Sequence, residues 1–294
     1  MRNIFLITVD DLCADHVGHL GYKKDITPNF DSFSKQNISF TQAVATGPRT
    51  TLSFPSILFS LYASEYFNQK KYGSKDNLAS FFKKIGYKTA AFNSNPHFRM
   101  WGFSKGFEYF EDFLYKTGSA RNKTAEKLKR KIVKTVGRKS FIVKKLSKIL
   151  THLSPDIALP YADAETINNQ SLKWIREQKN QPVFCWIHYM DPHYPFIPPK
   201  EYIDIDVTKK DILTANRLHK IAENYKEIIP EEDIKTLISL YDGEIRYLDR
   251  YIGDFLNRLK NMGLYDDSVI VFTADHGELF GDYGFFGHRY DVLY

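Results

Sequence analysis

The stretch NIFLITVDD, Asn3–Asp11, joins a largely apolar run, rich in β-branched residues, to two consecutive carboxylates. A run that does not alternate with polar residues is the pattern of a strand covered on both faces, as in a parallel sheet. The loops just beyond such strands are where open α/β sheets gather their chemistry. One positive charge precedes the run, and it stops at the acid pair without a small-residue cleavage site. It therefore reads as a first strand and not as a secretory signal.

The same signature returns along the chain. Thr27 as cap with Pro28 at the first helical position opens a helix in TPNFDSFSKQ. Asn77–Gly86 reads as a helix closed by glycine, and Tyr87–Ser94 as the strand behind it. DAETINNQSLKWIREQ is helical and leads to the strand Pro182–Met190. A long helical pattern from Glu231 closes on Gly263, and Asp267–Asp275 is the last clear strand. Strands separated by helices predict an α/β three-layer sandwich with a mostly parallel central sheet. The chain stops at DVLY without a turn or tail, and the expectation is that a C-terminal part of the fold is absent.

Length and composition allow one large domain over residues 1–294, or two small ones: apolar residues make up 43% and charged residues 26%. No run of 18 apolar residues exists, so no membrane span is expected. Cys13 and Cys185 form neither a disulfide framework nor a metal-type spacing, which suits a reduced, cytoplasmic chain. Residues 114–160 break the pattern as a basic helical insertion. Between Lys116 and Lys148 there are thirteen Lys or Arg and one acid, Glu126. Such a segment is either a solvated face or a contact for an anionic membrane surface or acidic polymer, which would make the protein peripheral to a membrane. Nucleic acid is not expected as a partner.

Three strands end in potential ligands. Asp10 and Asp11 follow the first, His188, Asp191 and His193 fall in or after the strand at Pro182–Met190, and Asp275 and His276 follow the last. Taken singly, an acid pair reads as a turn or a helix cap and a lone histidine as a packing or surface residue, which is all that His16, His19, His97, His152 and His219 are given. Their coincidence at three strand ends points to a divalent cation, Zn, Mn, Ca or Mg. A further element is ATGPRTTLSFPSILFSLY, Ala45–Tyr62. Gly47-Pro48 makes a turn, Leu52–Leu61 reads as a helix, and Thr50 and Thr51 between them are each either a cap or a nucleophile.

ITVDDL, HYMDPHYP, YDGEIRYLDRYIGDFL and TADHGE, in this order over nearly the whole chain, resemble the sulfatase family of the alkaline phosphatase superfamily. The resemblance implies an alkaline-phosphatase-like fold, with Asp10, Asp11, Asp275 and His276 as metal ligands. It also implies a nucleophile, itself bound to the metal, at a helix start. Aligning the family's nucleophile motif on SILFS places Thr50 there, with Thr51 and Ser53 as alternatives. His193 matches a histidine that contacts the sulfuryl or phosphoryl group, and His288 a second substrate-binding position. Either could protonate the leaving group, with His188 behind the ligands and Arg49 as an anion clamp.

The departures from the motif are chemical. Leu52 and Phe54 stand where the family has Pro and Arg, and a threonine cannot become formylglycine, because oxidation would give a ketone. A metal-activated threonine attacking a phosphoric ester is therefore expected over ordinary arylsulfatase chemistry. The group passes to water or to an acceptor alcohol. The substrate expected is an anionic phosphate or sulfate ester, of a glycan or a lipid head group. The alternative is a catalytically inactive binding protein on the same fold.

Overall fold

In the computed structural model, residues 1–69, 76–113, 160–178, 181–225 and 228–288 are described. The central sheet comprises β1 (Asn3–Val9), β2 (Lys88–Phe92), β3 (Tyr109–Glu111), β4 (Val183–Tyr189) and β5 (Ser268–Ala274). Their order is β3-β2-β4-β1-β5, and every neighbouring pair is parallel. Seven helices accompany it among the described residues: α1 (Pro28–Gln36), α2 (Thr50–Phe59), α3 (Ala63–Phe67), α4 (Leu78–Lys84), α5 (Ala164–Glu177), α6 (Lys209–Tyr225) and α7 (Glu231–Asn261). A small hairpin, β6 (Leu279–Phe280) with β7 (Phe286–Gly287), follows the last strand.

Strand periodicity divides the core into two layers. Phe5, Ile7 and Val9 of β1 and Val183, Cys185, Ile187 and Tyr189 of β4 pack with α1, α5, α6 and α7. Leu6, Phe184 and Trp186 point the other way, into an aromatic cluster with Phe54 and Leu58 of α2, Tyr66 of α3 and Ala79 of α4. This is the expected three-layer sandwich. The two strands that bracket β1, namely β4 and β5, carry the other ligand-bearing ends, so all three ends emerge side by side at the carboxyl edge.

The long helix α7 holds the N-terminal half against the sheet. Asp249 accepts hydrogen bonds from the backbone N–H of Asn29 (3.0 Å) and of Phe30 (2.9 Å), so a carboxylate from α7 sits at the N-terminus of α1. The helices touch so closely there that a Cβ on Gly253 would lie 2.3 Å from Asn29 Oδ1. Thr27 is the N-cap position of α1, as expected. Its hydroxyl, however, accepts from Gly18 N–H at 2.8 Å and donates to Asp31 at 3.1 Å instead of capping α1.

The short β3, α3, the polar α6 and the β6–β7 hairpin are not anticipated by apolar periodicity. Each is too short or too mixed in polarity to carry a clear period. The basic segment 114–160 lies, apart from Pro160, outside the described residues. Among the described residues no helix is long and apolar enough to cross a membrane.

Candidate metal centre and active site

The site begins where β1 ends. Asp10 donates its backbone N–H to Tyr189 O (3.0 Å), and Asp275 donates its own to Val9 O (3.2 Å), so the sheet ladder aligns the three strand ends. Asp11 then turns into the left-handed region at φ 60°, a conformation that Asp adopts more readily than most side chains. The turn is clamped from α7: the Tyr241 hydroxyl donates to Asp11 O and accepts from Cys13 N–H at 2.9 Å.

Asp10, Asp11 and Asp275 are fully or almost fully buried. His276 lies among them, its Nδ1 2.8 Å from Asp11 Oδ1 and its Nε2 3.4 Å from Asp10 Oδ1 and 3.5 Å from Asp275 Oδ2. His193 Nε2 is 3.6 Å from Asp11 Oδ2, and His288 Nδ1 is 3.5 Å from Asp11 Oδ1. Neither oxygen of Asp11, nor Oδ2 of Asp275, has a partner of hydrogen-bond geometry among the described residues. Buried carboxylate oxygens without donors are costly. Three sets drawn from Asp10, Asp11, His193, Asp275, His276 and His288 offer ligand atoms within 4.8 Å of one another. Oxygen and imidazole donors in this arrangement fit a divalent cation.

Proton affinities follow the crowding. Burial pushes the Asp275 carboxyl up, and the Asp10 charge adds to it, to about 7. Burial also opposes the Asp11 charge, but His288, His276 and His193 outweigh it and hold that carboxyl well below its ordinary value. For Asp10 burial is likewise outweighed, chiefly by the hydrogen bond to His188, and the net shift is downward. Burial alone would lower His276, yet the charges of Asp275, Asp11 and Asp10 lift it well above the ordinary histidine value. His288 is raised to about 9, burial again being outweighed by Asp11 and Glu278. Three carboxylates this close cannot all stay charged without compensating positive charge.

Behind Asp10 runs a hydrogen-bonded chain. Trp186 Nε1–H donates to Thr8 Oγ1 (2.9 Å), which lies 2.9 Å from His188 Nδ1, while His188 Nε2 lies 3.3 Å from Asp10 Oδ2. The indole can only donate, so the Thr8 hydroxyl is free to give its proton to Nδ1. That leaves the Nε2–H of His188 aimed at Asp10, an orienting contact of the kind that supports metal ligands.

Helix α2 opens at Thr50, two residues before the expected start, with Arg49 as N-cap and no side-chain cap. Thr50 Oγ1 lies 3.2 Å from His276 Nε2 and 3.5 Å from Asp10 Oδ1. Its hydroxyl is thus directed to the carboxylate–histidine cluster and not to the helix amides. Thr51 Oγ1 is buried without a hydrogen-bond partner among the described residues, and Ser53 Oγ donates to Gly47 O at 2.8 Å. Arg49 Nε donates to His288 O (2.6 Å), and Nη2 is 3.8 Å from Glu223. Phe54, at the position of the family's motif Arg, is fully buried and packs edge-on to His188 with ring centroids 5.1 Å apart.

Several residues of the site carry no prior signal. Glu278 Oε2 is 3.2 Å from His288 Nδ1, and Cys13 Sγ accepts from Glu278 N–H at 3.1 Å. Glu278 stands in the TADHGE motif, yet nothing in that string says which way its side chain faces. Thr8 looks like one more β-branched strand residue, and Tyr241 like one aromatic of a helical stripe. His16 and His219, read as packing or surface residues, are buried, and His16 Nδ1 lies 2.8 Å from Asp242 Oδ1.

A parallel α/β sandwich with this cluster at its carboxyl edge is of the alkaline phosphatase class. A family model described as Sulfatase matches residues 2–293, and the chain belongs to the sulfatase family. It is 25% identical over 311 residues to an arylsulfatase of Clostridium perfringens, covering 97% of this chain and 64% of that protein. The fold is similar to the phosphonate monoester hydrolase of Agrobacterium radiobacter, with TM-score 0.64 and 19% identity, over 96% of this chain and 64% of the other. It is also similar to the integral membrane protein lipooligosaccharide phosphoethanolamine transferase A of Neisseria meningitidis. There the TM-score is 0.67 and the identity 17%, over 98% of this chain and 44% of that one. The chain thus spans less than two thirds of the length of these relatives.

Proposed function

We propose that this protein is a metal-dependent phosphoric-ester hydrolase or transferase that uses Thr50 as its nucleophile. The observation that carries the reading is the Thr50 hydroxyl at an uncapped helix start, 3.2 Å from His276 and 3.5 Å from Asp10. Asp10, Asp11, Asp275 and His276 would hold the cation. When bound, it supplies a Lewis acid that lowers the hydroxyl pKa and offsets charge on the ester. Thr50 Oγ1, its proton released to solvent, forms a bond to phosphorus as the bond to the leaving oxygen breaks. His193 or His288 gives that oxygen its proton. Water or an acceptor alcohol then displaces the threonine and regenerates it. The α2 start adds backbone N–H groups toward the anion.

Phosphorus is favoured over sulfur because threonine cannot be converted to formylglycine and because Phe54 leaves no guanidinium at the family's motif Arg. The likeness to a phosphonate hydrolase and a phosphoethanolamine transferase agrees with hydrolysis or transfer at phosphorus. An ester of a glycan or lipid head group is the substrate class, and the basic segment 114–160 is the feature that would hold the protein at an anionic membrane. Cosedimentation with anionic liposomes that weakens as salt rises supports that attachment, and absence of binding at low salt removes it.

Turnover of a chromogenic phosphodiester tests the nucleophile. Thr50→Ala is expected to lose several orders of magnitude with fold and metal content retained, Thr50→Ser to keep part, and Thr51→Ala to keep most. Full turnover in Thr50→Ala overturns the assignment. A chromogenic sulfate ester turned over faster than the phosphodiester overturns the preference for phosphorus.

A further inference from the structure

We propose that Glu278 is a positioning residue that fixes the ring of His288, so that Nε2 is the nitrogen this histidine offers to the ester. The inference rests on the role given to His288 above. The Glu278 side chain is fully buried, and Oε2 lies 3.2 Å from His288 Nδ1. Its other oxygen has no hydrogen-bond partner among the described residues, the nearest ring nitrogen being His219 Nε2 at 3.8 Å. His219 is packed in turn against Tyr194, stacked at 5.6 Å, and Phe196 at 5.3 Å. The carboxylate therefore has one direction in which it meets a hydrogen-bond donor, and that direction is His288.

Both ends of the contact are anchored. Glu278 is tied through its backbone to the turn that carries Asp10 and Asp11, because its N–H donates to Cys13 Sγ (3.1 Å) and Cys13 Sγ–H donates to its carbonyl (3.2 Å). His288 follows Gly287, which has φ +77° and where a Cβ would lie 2.4 Å from Glu223 Cγ on α6. The backbone carbonyl of His288 accepts from Arg49 Nε at 2.6 Å, next to Thr50. Backbone placement is thus set by α6 and Arg49, the ring packs against His276 at 5.0 Å and His193 at 5.6 Å, and its hydrogen bond is made through Nδ1. That nitrogen faces two carboxylates, Glu278 Oε2 and, at 3.5 Å, Asp11 Oδ1. Carboxylates only accept, so Nδ1 carries a proton and Nε2 is the nitrogen free to act. Asp11 is committed to the cation in the functional reading. Glu278 is not, and it remains the orienting acceptor through the reaction.

The test combines a spectroscopic and a kinetic arm on the full chain. Above about pH 9, where the wild-type His288 ring becomes neutral, long-range proton–nitrogen NMR correlations of that ring, assigned by their loss in His288→Gln, report its tautomer. The wild type is expected to show the Nδ1–H form, Glu278→Gln to retain it, and Glu278→Ala to move toward Nε2–H. A wild-type ring in the Nε2–H form overturns the proposal, as does an unchanged tautomer in Glu278→Ala. With a chromogenic phosphodiester, Glu278→Ala should lower kcat about 10–100-fold with KM little changed. Glu278→Gln should recover most of the loss, and Glu278→Ala should add nothing in a His288→Ala background. Additive losses overturn the proposal. If the wild type turns over no phosphodiester, the functional reading falls, and the tautomer alone decides the positioning role.

Discussion

Asp242, on α7, and the trio Asp10, Asp11 and Asp275, at the sheet edge, are both buried acids with histidines beside them, yet they are satisfied in opposite ways. Around Asp242 the protein supplies every donor: His16 Nδ1 at 2.8 Å, Lys24 Nζ at 2.8 Å and the Tyr22 hydroxyl at 2.8 and 3.0 Å. Lys24 in turn reaches Asp204, which also pairs with Arg246. At the sheet edge three carboxylates share four histidines, His188, His193, His276 and His288, and buried oxygens of Asp11 and Asp275 have no hydrogen-bond partner among the described residues. The first assembly is closed and ties the segment that follows β1 to α7. The second is short of positive charge, which is the condition under which a site binds a cation. Residue types alone do not separate a structural cluster from a functional one. Donor balance does.

The largest effect that could break this contrast is at Asp275. Asp275→Asn should abolish stoichiometric metal and lower phosphodiester turnover by several orders of magnitude. It should also leave the metal-free protein as stable or more stable, since a like charge is removed. Retained metal and turnover would place the cation elsewhere. Asp242→Asn should do the reverse. A drop in unfolding free energy of about 3 kcal/mol is expected from breaking a buried, charge-assisted set. Turnover per folded molecule should change little, and denaturant titration beside activity measures both.

Metal addition sharpens the contrast further. At a hundred times its dissociation constant, a bound cation should stabilise the wild type and Asp242→Asn by about 2.7 kcal/mol. Asp275→Asn should gain nothing. Equal shifts in all three proteins would mean that the cation binds outside the strand ends.

The smallest effect is in pH. Burial pushes the Asp242 carboxyl up, but hydrogen bonds from His16, Lys24 and Tyr22 outweigh it, and its folded value lies below the ordinary one. A depressed value contributes stability above the unfolded carboxylate pKa of about 3.9, and that stability is lost as pH falls through the folded value. The stability gap between wild type and Asp242→Asn should therefore hold at neutral pH and narrow below about pH 4. A gap that stays constant through that window would show that Asp242 acts by shape and not by charge.

The sequence made the strands and their ends legible, because uninterrupted apolar runs followed by acids leave little choice of structure. Asp10, Asp11, Asp275 and His276 do converge, and Thr50, His193 and His288 lie in the same cluster. What stayed hidden was direction and distance. Arg49, read as an anion clamp, also ties its Nε to the His288 carbonyl, a contact no local pattern announces. The partnership of His16 with Asp242 spans 226 residues, and no local pattern encodes it. Thr8 and Glu278 act through what they face, which depends on strands and hairpins whose contacts are set only in three dimensions. Phe54 shows the converse: its chemistry, packing under His188, is ordinary for its residue type and informative only at a position where a cation was expected.

The clamp of Tyr241 on the turn at Asp11 bears on how the molecule comes to exist. That contact joins residues 230 apart, Cys13 meets Glu278 across 265, and Thr50 meets His276 across 226. Contacts of such long range form late and slowly, since a large loop must close before any of them can form. During synthesis β1 emerges first, and the carboxylate–histidine cluster cannot assemble until β5, the last strand of the central sheet, has been made. A nascent chain that lacks β5 therefore also lacks Asp275 and His276, two of the four residues proposed to hold a cation.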